Sequence, residues 1–95
     1  MYARVVRFTE VTAERISEIV AQVEESEGPP PGVDATGFEL FVDEAQGTAI
    51  FVGYFETEQK MRDANAIFEK MDLSETPGIR ESIDLCEVKL QRFSS

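Results

Sequence analysis

Thr48-Ala49-Ile50-Phe51-Val52-Gly53-Tyr54-Phe55 is the segment around which the architecture must be built. Strand side chains alternate with a period of two, so Ala49, Phe51, Gly53 and Phe55 point one way and Ile50, Val52 and Tyr54 the other. Both sets are apolar, and a strand of this kind needs a dry neighbour on each face. The flanking sequence supplies helices for one face. The mismatch predicts a second subunit.

Working back from this strand, Glu44 to Gly47 read as a short turn and Gly37 to Asp43 as its hairpin partner. With Asp43 opposite Thr48, Leu40 lies across from Phe51 and Phe38 from Gly53, while Phe41 faces Ile50 and Glu39 faces Val52. The first set is wholly apolar and is expected to face the helices. Further back, Tyr2 to Phe8 alternate and are rich in valine and aromatic residues, as a first strand would be. Thr12 is placed to cap a helix whose buried stripe is Ile16, Ile19, Val20 and Val23, with Glu14, Glu18, Gln22 and Glu25 on the solvated side. Glu27 to Gly37, containing Pro29, Pro30 and Pro31, cannot continue that helix and forms a long connection. Working forward, Thr57 caps a second helix with the stripe Met61, Ala64, Ile67, Phe68 and Met71. A Thr76-Pro77-Gly78 turn leads to a last strand read from Ser82 to Phe93, with Ile83, Leu85, Cys86, Val88 and Leu90 as its apolar members.

Strand, helix, strand, strand, helix, strand is the order of the split strand-helix-strand motif, so the fold class is α+β, ferredoxin-like βαββαβ. Right-handed crossovers put both helices on one face of a four-stranded antiparallel sheet. The other face then carries Glu39, Phe41, Ile50, Val52 and Tyr54, too apolar for water and suited to a two-fold partner sheet, so two chains are expected to pair into a dimeric α+β barrel. Such a pairing would bury more than about 1,000 Å², the size of a specific interface.

Composition narrows the function. At 95 residues the chain is read as one domain, 1–95. Nineteen acidic against nine basic residues give a net charge of −10, which repels nucleic acid and anionic membrane surfaces. No segment resembles a signal peptide or the roughly 20 apolar residues of a membrane span, so a cytoplasmic location is expected. The single cysteine, Cys86, cannot form an intrachain disulfide and is read as a small hydrophobe in a strand. The chain has no histidine, which removes Ser-His and Cys-His nucleophile pairs and histidine-ligated zinc or haem. No carboxylate loop of the D-x-D-x-D-G kind is present, and neither a metal nor a cofactor is expected.

The run from Gly47 through Thr48, the strand, and Glu56-Thr57-Glu58-Gln59 resembles the "G-T-x-x-x-x-x-x-W-E-S-E-Q" segment of the antibiotic biosynthesis monooxygenase family, the dimeric α+β barrel group. The resemblance implies a homodimer with facing sheets and a ligand cavity inside each subunit, between sheet and helices. It implies no single reaction, because the family includes cofactor-free oxygenases, haem-degrading enzymes and others. The pattern's Trp falls at Phe55, the Asn four residues earlier falls at Phe51, and the Tyr of some quinone-forming members falls at Met61, none of which donates a hydrogen bond.

Phe38, Phe51, Phe55, Met61, Phe68 and Met71 are expected to converge between sheet and helices, either as a filled core or around an apolar pocket in which Gly53 leaves room for a flat ligand. Arg4 and Arg7 have opposite strand parity, so one of them points inward, where an arginine could bind a carboxylate or stabilise an enolate. The ligand-binding set written from Phe38, Phe51, Gly53, Phe55, Met61 and Phe68 takes Arg4 as that residue. Glu39 is expected to meet an arginine or a tyrosine hydroxyl across the dimer interface, or to act as a half-buried base. Arg80, Asp84, Glu87 and Lys89 are read as rim charges. Two functions follow. One is a homodimer that binds a small apolar or aromatic metabolite without the usual oxygenase residues. The alternative is a cofactor-free monooxygenase or isomerase acting on a phenolic, enolic or polyketide-like substrate.

Overall fold

In the computed structural model, which describes residues 1–26, 28–70 and 77–93, the doubly apolar strand lies inside the sheet. The elements run β1 (Tyr2–Thr9), α1 (Ala13–Glu25), β2 (Gly37–Asp43), β3 (Thr48–Phe55), α2 (Glu58–Glu69) and β4 (Ile79–Glu87). The four strands form one antiparallel sheet in the order β2-β3-β1-β4, the α+β ferredoxin-like arrangement. The hairpin pairs in the register expected from the sequence, with Asp43 opposite Thr48, Leu40 opposite Phe51 and Phe38 opposite Gly53. Gly47 closes its turn at φ 68°, a left-handed conformation that glycine adopts without steric cost.

Both helices start where their caps demand. The hydroxyl of Thr12 accepts from the Arg15 amide and that of Thr57 from the Lys60 amide, each at 3.1 Å, satisfying amides that have no partner inside the helix. Past the capping turn the two diverge. Met61 and Ala64 of α2 are fully buried with Phe55 and Val33, and Tyr2, Ile67, Phe68 and Leu85 pack around them. On α1, Ile19 is buried, and Ile16 packs on the second cluster of Val6, Phe8, Val11 and Ala49. Close backbone approach to the sheet belongs to α2, and α1 stands further off.

Two expectations need correction. The last strand begins earlier and ends sooner than Ser82 to Phe93, because β1 starts at Tyr2 opposite Glu87 and the Val88 amide already bonds the Met1 carbonyl. Nothing remains for later residues to pair with, and Leu90 and Phe93 are exposed. Val20, expected in the buried stripe of α1, is 39% exposed, because the standing-off helix brings fewer residues to the sheet. A β-bulge in β4, where Arg7 pairs with Ser82 but Phe8 with Arg80, makes Glu81 the extra residue and turns Arg80 toward the helix side. Met71 and Thr76 lie outside the described residues. Among the described residues no helix is long and apolar enough to cross a membrane.

Candidate ligand cavity

Where α1 stands off, the space beneath it is open. A cavity of about 570 Å³ lies between the sheet and α1, within the size range of small-molecule sites. Phe8, Leu40, Phe51 and Phe55 form its sheet wall, and Ile19 and Val23 its α1 wall. Pro29, Pro30, Val33 and Ala35 of the long connection close one side. That connection is tied down where it matters, with the Val33 amide on the Pro30 carbonyl at 3.1 Å and the Thr36 amide on the Tyr54 carbonyl at 2.8 Å. Phe38 and Phe51 stack with ring centres 5.7 Å apart and planes within 6°, forming a flat apolar surface toward the edge strand. Phe38 remains 53% exposed.

One charge sits deep in this wall. Arg4 on β1 is 7% exposed, paired in the sheet with Gly53 on one side and Leu85 on the other. Its guanidinium lies 4.7 Å from the centre of the Phe68 ring, a cation–π contact, and its Nε donates to Asn65 Oδ1 at 2.9 Å. Burial lowers its pKa from the ordinary value; Glu69 pushes the other way and Arg80 adds to the lowering. At this depth an arginine stays protonated. Arg80, brought to the cavity by the bulge, spends its two terminal nitrogens on the Glu69 carboxylate at 3.2 Å each.

Of the residues expected around a ligand, Arg4, Phe38, Phe51, Gly53, Phe55 and Phe68 all line the cavity. Met61 does not; it is 1% exposed inside the α2 cluster. Core clusters lie under α2 and beside Ile16 of α1, and the open space lies beside Ile19 and Val23 of α1. A Cβ on Gly53 would meet the Phe55 ring edge at 3.3 Å, so any larger side chain there would intrude on the space beside Arg4. Sequence reasoning put Leu40 on the helix side without counting it among the ligand residues, and passed over Val33 and Asn65. Leu40 carried a signal, since it shares the parity of Phe38, whereas Asn65 carried none.

Arg7 belongs to the other face, with Ile50 and Ser82 as cross-strand neighbours and Glu81 3.7 Å away. On that face Phe41 is 50% exposed, Ile50, Glu39 and Tyr54 are half-buried, and Val52 is covered by its neighbours. Glu39 accepts from the Tyr54 hydroxyl at 2.7 Å within its own chain. The register explains it, because Tyr54 is the diagonal neighbour of Glu39 beyond Val52. That bond, then burial, raises the Tyr54 pKa. Cys86 lies half-buried opposite Ala3 on the same face. Among the described residues no group of three or more Cys, Asp or Glu side chains is placed to hold a metal ion. Comparison with protein-family models, with curated proteins and with solved structures finds no match to this chain.

Proposed function

We propose that this protein is a homodimeric binder of a small apolar or aromatic metabolite, built on the plan of the antibiotic biosynthesis monooxygenase family but without its usual oxygenase residues. The observation that carries the reading is the 570 Å³ cavity between sheet and α1, walled by aromatic and aliphatic side chains. A space of that size costs the protein packing contacts that a core would otherwise supply, and a bound apolar molecule restores them. Binding is favoured over catalysis by the polar groups that line it. These are Arg4, Gln22, Ser26 and Arg80, with no carboxylate or tyrosine among the described lining residues to serve as a base. The homodimer is supported by the open sheet face, where Phe41 and Ile50 form an apolar ridge that a second copy related by a two-fold axis would cover.

The cavity is tested with N-phenyl-1-naphthylamine, a neutral apolar dye that fluoresces in dry surroundings. The dye brightens with the parent protein, saturating near one molecule per chain, and Gly53→Leu, which fills the space, abolishes the response. No brightening in the parent, or full brightening in a Gly53→Leu variant whose circular dichroism is unchanged, sinks the reading.

A further inference from the structure

Arg4 is a buried cation with most of its hydrogen-bonding capacity unspent. A guanidinium carries five N–H donors in a planar fork. In this structure one of them, on Nε, is taken by Asn65, and neither terminal nitrogen bonds any described residue. No carboxylate of the described residues lies within ion-pair distance of Arg4, although 19 of the 95 residues are acidic. No aspartate or glutamate of the described residues lines the cavity, and Glu69, the acid that acts on Arg4 from outside it, is bonded to Arg80. The second lining cation, Arg80, is already neutralised by Glu69. One positive charge without an ion-pair partner therefore remains on an apolar wall, held in place and with its terminal nitrogens accessible.

A buried charge is costly unless an opposite charge and hydrogen bonds meet it. The fixing of Arg4 also defines what would meet it. Phe68 supports one face of the guanidinium plane and Asn65 holds the Nε edge, which leaves the terminal pair of nitrogens as the free edge. Two parallel N–H donors match the two oxygens of a carboxylate better than a single phenolate or enolate oxygen. Gly53, beside Arg4 in the sheet, presents no side chain to occupy that position. The remaining wall, from Phe8 and Leu40 to Ile19 and Val23, suits a body without charge.

We infer that the ligand of this cavity is an apolar monocarboxylic acid, whose carboxylate docks on the terminal nitrogens of Arg4 and whose hydrocarbon or aromatic part lies between the sheet and α1. This rests on the reading of the cavity as a ligand site and narrows it to one chemical class.

The test compares two molecules of like shape, 2-naphthoate and 2-naphthalenemethanol, by isothermal titration against the full chain at pH 7. With the parent protein the carboxylate binds at least about tenfold more tightly than the alcohol, the scale of a hydrogen-bonded charge pair. In Arg4→Met the two affinities converge to within about twofold because the carboxylate loses, while the alcohol changes little. Arg7→Met, which removes a cation from the other face of the sheet, leaves the preference in place. Equal affinities in the parent overturn the proposal without any variant, so it stays falsifiable even if Arg4→Met does not fold. A preference that survives Arg4→Met, or one removed by Arg7→Met alone, also overturns it. If the neutral dye binds and neither naphthalene does, the carboxylate class is wrong and the cavity reading stands. If dye and both naphthalenes all fail to bind, the cavity reading itself falls and takes this one with it.

Discussion

The two faces of the sheet are made of the same kinds of residue and meet opposite fates. On the helix side, Phe55, Met61, Ala64 and Val33 reach 7% exposure or less, and the adjoining half is left open as a cavity around Arg4. On the other side, Phe41 of β2 is half exposed, and Ile50 and Tyr54 are partly so. Strand alternation alone makes these faces equivalent. What separates them is the right-handed crossover of both βαβ units, which puts α1 and α2 on one side. The difference shows that apolar character in a strand states a demand for cover without saying whether the chain, a ligand or a second copy supplies it.

Three measurements bear on that difference. The largest effect is expected under α2, where Met61→Ala removes a side chain with no access to solvent and should cost about 2–5 kcal/mol in urea unfolding. Val23→Ala, on the cavity wall, should cost about 1 kcal/mol or less, since its neighbours already border empty space. Similar costs at both sites would mean that the cavity closes in solution.

The open face should respond in assembly. Phe41→Glu places a charge on the exposed ridge. Sedimentation velocity is expected to show a dimer for the parent and a monomer for the variant, with unfolding of the isolated subunit changed by no more than about 0.5 kcal/mol. A parent that sediments as a monomer across the micromolar range removes the homodimer from the proposal.

The smallest effect concerns Tyr54. Its bond to Glu39 should make Tyr54→Phe less stable than the parent by about 0.5–1.5 kcal/mol near neutral pH. The folded-state pKa of Tyr54 is raised, so the stabilisation is fully present below the unfolded tyrosine pKa and is lost as pH rises through the folded one. Unfolding of both proteins at pH 8 and again above the tyrosine range should therefore show the gap closing. A constant gap would mean that the hydroxyl donates no hydrogen bond in the folded protein that raises its pKa.

Much of this arrangement was legible in the residues. Thr12 and Thr57 announced their helices because a hydroxyl before an apolar periodicity has one common use, and the hairpin register followed from matching Phe38 and Leu40 to Gly53 and Phe51. The end of β4 was not legible. Val88 to Phe93 contain the right residue types, but a strand exists only where another strand offers hydrogen bonds, and β1 runs out at Tyr2. Met61 and Phe68 share one helical stripe, and periodicity cannot say which of them meets core and which meets the cavity.

Sequence by itself determined the order of elements, the turn and cap positions, the registers that alternation enforces, and the acidic, histidine-free chemistry of the chain. All of these depend on neighbours along the chain or on counting. Tertiary structure decided that Arg4 faces the helices while Arg7 does not, that a bulge sends Arg80 to Glu69, that Asn65 holds Arg4, and that α1 leaves a space instead of filling it. These depend on contacts between separate segments, 11 residues apart for Arg80 and Glu69 and 61 for Arg4 and Asn65, and on how closely two surfaces pack, which no local pattern encodes.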